Sequence, residues 1–168
     1  MTFFRQPERE APGSIRWSGD LDDRIVEQDE GMLSAFQRER PWGIDAAVDL
    51  FDCDPELVRD PGIIAAFAVD LCDKINMRRY GEPQLAHFGD EPRVSGYTLV
   101  QLIETSAITG HFIEQANAAC INVFSCSAYP PFQTAALCRQ WFHARSVRLS
   151  VVFRGPGTLP VSTVPMPR

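Results

Sequence analysis

The sequence predicts an α+β fold, a two-layer sandwich in which helices cover one face of a mainly antiparallel sheet. Three observations support this prediction. Strand-like and helix-like segments follow the order β-α-β-β-β-β-α-β, the four central strands are joined by short turns, and 168 residues suit one domain with a single core. The opposite face of the sheet would be exposed to solvent, and pairing with a second copy of the chain would bury it.

The first strand and helix lie in the segment that begins near Trp42. Residues 43–52 have the partial alternation of a strand. Pro61 can begin the following helix, because its missing N–H costs nothing in the first turn. Apolar residues then recur at helical spacing as far as about Met77. These residues are Ile64, Phe67, Ala68, Leu71 and Ile75.

The second half of the pattern is richer in strands. Turn residues separate the four central strands, which we place at 84–88, 96–105, 107–112 and 119–125. A helix over 132–144 has an apolar side at helical spacing. A last strand over 146–153 alternates cleanly between apolar and polar residues.

The chain divides into three predicted regions. Residues 1–40 are rich in charge, and their apolar residues mark one helix face that Gly31 interrupts, so we expect an extension that is partly helical or mobile. A folded domain spans 41–154. Residues 155–168 contain four prolines and are predicted to be a disordered tail.

The composition argues against several classes of function. A net charge of −6 without a run of basic residues argues against nucleic-acid binding. The apolar stretches are too short to span a bilayer and the N-terminus lacks a signal peptide's apolar region, so we expect a cytoplasmic protein.

Five cysteines without a C-x-x-C pair argue against a disulfide framework or a zinc site, and His111 with Glu114 lacks a third metal ligand. Lys74 is the only lysine, which disfavours lysine Schiff-base chemistry.

The segment 96–126 concentrates chemically active side chains. His111 follows Ser106 by five positions, Cys126 follows it by twenty, and Thr98 precedes it by eight. Taken singly, each of these residues is more often structural than catalytic. Together they put a hydroxyl nucleophile, a proton carrier and a thiol acid in one hairpin-like unit, which is the set that covalent catalysis needs.

These spacings resemble those of the prokaryotic S-adenosylmethionine decarboxylase proenzymes. In that family a histidine follows a processing serine by five residues, and an apolar strand ends in a catalytic cysteine twenty residues after the serine. Ser106, His111 and Cys126 match this pattern without a gap. Residues 96–98 are similar to the family's glycine–hydrophobic–serine stretch, and a looser resemblance covers residues 42–154.

The resemblance implies a chain that cuts itself and thereby makes its own cofactor. The Ser106 hydroxyl attacks the carbonyl of Thr105 and converts the peptide bond into an ester. β-Elimination and hydrolysis then leave a pyruvoyl group at the new N-terminus of residues 106–168. His111 is implied as the proton carrier of the elimination, and Thr98 as its support.

The resemblance also implies the reaction and its partners. The pyruvoyl ketone forms a Schiff base with the amine of S-adenosylmethionine and withdraws electrons as carbon dioxide leaves. Cys126 protonates the resulting carbanion. The product is the aminopropyl donor for polyamine biosynthesis, including that of spermidine. The expected partners are this small-molecule substrate and a second copy of the chain in a homodimer.

The sequence departs from the family pattern at three places. Thr105 stands where the family usually has glutamate directly before the processing serine, and Glu104 lies one position earlier. Taking Thr105 as the nucleophile restores that glutamate neighbour but loses the spacings to the histidine and cysteine. Asn122 replaces a frequent aspartate. The family's substrate-binding glutamate falls near Glu114 or Gln115.

Two alternative functions remain open. The same pyruvoyl chemistry suits decarboxylation of arginine or ornithine, which a pocket without an adenine-stacking aromatic residue would favour. A chain that does not cleave would instead be a homologue that acts as a binding or regulatory partner. Cleavage between Thr105 and Ser106 separates this last alternative from the two decarboxylases.

Overall fold

The computed structural model describes residues 22–156, and all six strands in them form one sheet. The helices are α1 (Asp23–Glu39), α2 (Pro55–Val58), α3 (Pro61–Lys74) and α4 (Pro131–Trp141). The strands are β1 (Gly43–Phe51), β2 (Arg79–Phe88), β3 (Gly96–Ile103), β4 (Ser106–Ile113), β5 (Ala118–Ser125) and β6 (Ser146–Arg154). The sheet has the order β2-β3-β4-β5-β1-β6 and is antiparallel throughout. The predicted fold class and the predicted order of the main elements are confirmed. None of the helices in residues 22–156 is long and apolar enough to cross a membrane.

The elements differ from the prediction in three places. α1 runs unbroken through Gly31, and a single helical turn, α2, occupies the predicted loop after β1. β2 begins at Arg79, because the predicted turn is an irregularity within the strand: Gly81 has φ +72° and the register with β3 shifts there. The predicted extension over 1–40 stays a prediction, and residues 157–168 of the predicted tail lie outside the described residues.

A buried carboxylate ties α1 to the core. Asp29 is 1% exposed and accepts the backbone N–H groups of Phe132 and Gln133 at 2.8 and 2.9 Å, at the start of α4. The residue before α4 is a proline that makes no side-chain cap. Asp29 therefore supplies the missing cap from a distant part of the chain. Phe36 adds an edge-on contact with Phe153 of β6, with ring centroids 5.7 Å apart.

The core lies between the sheet and the helices α3 and α4. The Phe142 ring centroid lies 4.9 Å from that of Phe67 on α3 and 5.1 Å from that of Phe112 on β4, and all three rings are buried. Trp141 Nε1 donates to Asp70 Oδ2 at 2.8 Å and links α4 to α3. This apolar layer fixes the helix side of the sheet and so orients the strands that carry the candidate site.

The opposite face of the sheet has no covering helix within residues 22–156. Alternate residues of each strand point to it, including Thr98, His111 and Asn122. We call this surface the open face. Large hydrophobic side chains are exposed on or beside it. They are Trp42, Phe51, Tyr80, Phe88 and Leu102. An exposed apolar surface of this kind is typical of an interaction site.

Candidate active site

The turn between β3 and β4 presents the Thr105–Ser106 peptide bond. A two-residue turn that ends at Thr105 joins the strands, and Ser106 begins β4, where it pairs with Ile103 of β3 and Ser125 of β5. The backbone N–H of Cys126 donates to the Thr105 carbonyl oxygen at 3.0 Å. The structure therefore brings three of the predicted site residues together at this turn.

Ser106 has a backbone conformation that residues other than glycine rarely adopt. Its φ is +151°. Such conformations store about 1–3 kcal/mol, persist only where the surroundings fix them, and cluster at functional sites. Here strands on both sides fix Ser106. The strained residue follows directly the peptide bond that the family resemblance marks for cleavage.

The side chain of Thr105 makes two hydrogen bonds. Its hydroxyl donates to Met77 Sδ at 3.1 Å and accepts the Ser125 hydroxyl at 3.0 Å. This geometry favours Ser106 over Thr105 as the nucleophile, because the Thr105 hydroxyl already donates elsewhere. Neither Met77 nor Ser125 was predicted as a site residue. The only available signal was that Ser125 puts a polar residue at an inward position of β5.

Cys126 differs from the other cysteines in its exposure. It is the only exposed residue among the five, all of which lie within the described part of the chain. Burial raises the pKa of the Cys53 and Cys72 thiols to about 11 and raises that of Cys138 further. These three thiols are therefore buried and protonated, whereas Cys126 is open to a ligand.

Thr98 and His111 lie side by side on the open face. Thr98 Oγ1 and His111 Nδ1 are 3.2 Å apart, within hydrogen-bond distance. His111 is in register with Cys120, and Cys120 with Asp49. Burial and the neighbouring Asp49 raise the pKa of the Cys120 thiol, which keeps it protonated. Arg148 binds Asp49 at 2.7 Å and completes a polar row across the sheet.

A single chain does not bring His111 and Thr98 to the turn between β3 and β4. His111 lies five residues along β4 from Ser106, which corresponds to about 16 Å in an extended strand. Thr98 pairs with His111 in the register of β3 and β4. The residues predicted for processing and catalysis therefore form two groups, one at the turn and one at the middle of the open face.

Glu114 lies at the far end of β4, next to a surface pocket. Its carboxylate binds His87 Nε2 at 2.8 Å, and Arg59 donates to its backbone carbonyl. The His87 ring packs edge-on against Tyr97, with centroids 4.8 Å apart. The pocket has a volume of about 330 Å³. Eight residues of strand separate Glu114 from Ser106, a distance of about 26 Å. Within residues 22–156, no three His, Cys, Asp or Glu side chains are placed to hold a metal ion.

Comparisons with known proteins agree with the family resemblance. The family model for S-adenosylmethionine decarboxylase matches residues 45–155, a range that contains both groups of site residues. The structure is similar to that of an adenosylmethionine decarboxylase from Aquifex aeolicus, with a TM-score of 0.60 and 17% identity, over 73% of this chain and 98% of that chain. At this identity the structural likeness concerns the fold. No curated protein sequence gives a significant match.

Proposed function

Because the chain belongs to the S-adenosylmethionine decarboxylase family, we propose that it is a self-processing, pyruvoyl-dependent decarboxylase of S-adenosylmethionine. One observation carries the self-processing part of this proposal. The Cys126 N–H donates to the Thr105 carbonyl oxygen beside the strained backbone of Ser106. Both features favour attack of a serine on its preceding carbonyl, because the N–H stabilises charge on the oxygen and the attack relieves strain.

Processing begins when Ser106 Oγ attacks the carbonyl carbon of Thr105. Negative charge then develops on the carbonyl oxygen, to which the Cys126 N–H already donates at 3.0 Å, as in an oxyanion hole. A C–O ester bond forms, the C–N bond breaks, and the Ser106 amino group is released. Relief of the strained φ at Ser106 favours this step.

Elimination then divides the chain. The Cα proton of Ser106 leaves and the bond from Cβ to the ester oxygen breaks, so that one fragment ends in the Thr105 carboxylate. The other begins with dehydroalanine, which water converts to a pyruvoyl group with release of ammonia. His111 is the proposed proton carrier, and Thr98, 3.2 Å from its ring, is the proposed support. Because both lie on the open face, we expect this role to depend on the assembled dimer.

The residues at the turn fit a pyruvoyl group. Once formed, this group supplies the electron-withdrawing carbonyl that decarboxylation of an amino acid needs. Ser106 provides its atoms at the start of β4. Cys126 is exposed and its N–H binds the adjacent carbonyl, so its thiol is the proposed donor of the proton that replaces the carboxylate. The product would supply the aminopropyl group for polyamine synthesis.

A homodimer is part of the proposed function. The exposed apolar residues of the open face support an interface there, and a second copy would cover Thr98 and His111. Glu114 is the proposed substrate contact. Since Glu114 lies far from Ser106 of its own chain, this contact also requires the second copy.

Intact mass measurement with denaturing electrophoresis tests the processing. The wild-type chain is expected to give a fragment that ends at Thr105 and one that begins with pyruvate in place of Ser106. Ser106→Ala is expected to stay at full length, because its side chain has no nucleophile. Ser34→Ala, in α1, removes a serine far from the turn and should cleave as the wild type does. A wild-type chain that remains one full-length species would contradict self-processing and favour a regulatory homologue.

A carbon dioxide release assay tests the substrate. Processed protein is expected to release carbon dioxide from S-adenosylmethionine and not from arginine or ornithine. Ser106→Ala serves as the inactive control. Activity confined to arginine or ornithine would keep the pyruvoyl chemistry and remove the proposed substrate.

A further inference from the structure

Two hydroxyl groups beside the cleavage turn belong to a series of hydrogen bonds, which we call the hydroxyl chain. The Ser127 backbone N–H donates to Ser125 Oγ at 3.0 Å, and Ser125 Oγ donates to Thr105 Oγ1 at 3.0 Å. Thr105 Oγ1 in turn donates to Met77 Sδ at 3.1 Å. Ser125 Oγ has a longer contact of 3.7 Å with the same sulfur. Each hydroxyl can thus accept one hydrogen bond and donate one, so both are satisfied within this series.

Ser125 is the buried member of the hydroxyl chain. It is 0% exposed and occupies an inward position of β5, in alternation with the buried Val123. An apolar side chain would suit this position, and a buried hydroxyl without a partner is costly. The hydroxyl is acceptable there because the Ser127 N–H and the Thr105 hydroxyl are both its hydrogen-bond partners.

The hydroxyl chain fixes Thr105 at a second point. The carbonyl oxygen of Thr105 is held by the N–H of Cys126, and its side chain is held by the hydroxyl of Ser125. The two contacts come from consecutive residues at the end of β5. Together they restrict rotation of the carbonyl group that faces Ser106, and restricted rotation of reacting groups accelerates an intramolecular attack.

We infer that Ser125 is a positioning residue for cleavage of the Thr105–Ser106 bond. This inference rests on the proposed function, since it presupposes that the chain processes itself. Ser125 contributes no atom to the reaction. It holds the Thr105 side chain so that the carbonyl carbon stays within reach of Ser106 Oγ while the Cys126 N–H receives the developing charge.

The rate of cleavage in newly made chains tests the inference. Full-length protein is labelled during cell-free synthesis, and the loss of intact chain is followed by denaturing electrophoresis. Ser125→Ala is expected to slow cleavage about tenfold, because a buried hydrogen bond to the reacting residue is lost. Ser125→Thr keeps the hydroxyl and is expected to cleave within about threefold of the wild-type rate.

A control variant separates positioning from general stability. Thr134 is 0% exposed and donates its hydroxyl to the Pro130 carbonyl at 2.7 Å, away from the turn. Thr134→Val removes a buried, hydrogen-bonded hydroxyl, as Ser125→Ala does, and should lower the melting temperature without slowing cleavage. Equal slowing of cleavage by Thr134→Val and Ser125→Ala would overturn the inference.

A double-mutant cycle tests whether Ser125 acts through Thr105. Thr105→Val removes the accepting hydroxyl at nearly constant shape and should itself slow cleavage. If the two hydroxyls act as one unit, the double variant is slowed about as much as either single variant and not by the product of both effects. Multiplying effects would overturn the proposed coupling.

The outcomes also separate this inference from the proposed function. A wild-type chain that stays intact overturns both. Wild-type cleavage that Ser106→Ala abolishes and Ser125→Ala leaves unchanged overturns only the role of Ser125.

Discussion

Thr105 illustrates how a single departure from a family pattern can be accommodated. It stands where the family usually has glutamate, and its hydroxyl lies between the Met77 sulfur and the Ser125 hydroxyl. A carboxylate in this place could not donate to the sulfur. Glu104, one position earlier, points its charge outward to Arg78 at 3.1 Å. The turn therefore suits a small hydroxyl side chain.

Asp29 should give the protein a pH-dependent stability. Burial raises the pKa of this carboxyl from 3.8 to about 6, although the N–H groups of Phe132 and Gln133 oppose the shift. Because the pKa of Asp29 is higher in the folded than in the unfolded protein, its contribution to the free energy of unfolding is full below pH 3.8. This contribution is lost as the pH rises toward 6. The loss corresponds to about 3 kcal/mol in the free energy of unfolding.

Urea unfolding of wild type and Asp29→Asn at several pH values tests this expectation. Asparagine keeps the shape and does not titrate, so the advantage of the wild type should shrink by about 2 kcal/mol between pH 4 and pH 7. A difference between the two proteins that does not change with pH would contradict the assignment.

Residue-level contacts of this kind were the least predictable from the sequence. The sequence placed the candidate residues in one hairpin-like unit. The register of β4 and β5 brings Ser106 and Cys126 together but leaves His111 about 16 Å away along β4. The contacts of Asp29 with α4 and of Met77 with Thr105 join residues that are far apart in the chain. No local periodicity reports such long-range pairs.

The start of helix α3 is determined by two residues that are neighbours in the sequence. Asp60 Oδ1 accepts the backbone N–H groups of Gly62 at 2.7 Å and Ile63 at 3.1 Å, and a proline follows directly. Asp60→Ala is expected to lower the free energy of unfolding by about 1 kcal/mol, because two helix donors lose their partner. Asp60→Asn should lower the free energy of unfolding by only a fraction of this amount, because the asparagine side chain can also cap a helix.

Helix α2 begins with a smaller cap than α3. Asp54 Oδ1 accepts one N–H, from Glu56 at 3.0 Å, at a helix of a single turn. Asp54→Ala is therefore expected to cost less than Asp60→Ala when both are measured by urea unfolding. A larger loss at Asp54 would show that the caps do not act as described.

Long periodic elements were predicted well and short or irregular ones were not. β6 and α3 follow clear periods of two and 3.6 residues, and both were found where the pattern placed them. The first part of β2 was missed, because Gly81-Glu82-Pro83 has the composition of a turn although the chain stays extended with a bulge. A four-residue helix such as α2 is too short to show a period.

At the scale of the whole molecule, the proposed homodimer should be sensitive to charge on the open face. Asn122 is exposed near the centre of this face, in register with Ala47 and Thr109. Asn122→Arg would place like charges in the interface and is expected to give monomers in sedimentation velocity. Ala66→Arg, on an exposed position of α3, should leave the dimer intact. A monomeric wild type, or an Asn122→Arg protein that remains dimeric, would contradict an interface on this face.

The strand order has a consequence for the fate of a cut chain. β1 precedes Thr105 in sequence but lies in the sheet between β5 and β6, which both follow Ser106. β4 is likewise bound to β3 across the turn that ends at Thr105. Cleavage at this turn would thus leave two fragments whose strands alternate within one sheet, as in a split protein reassembled from complementary halves. Neither fragment could dissociate without disruption of the sheet, so both are expected to unfold in a single thermal transition.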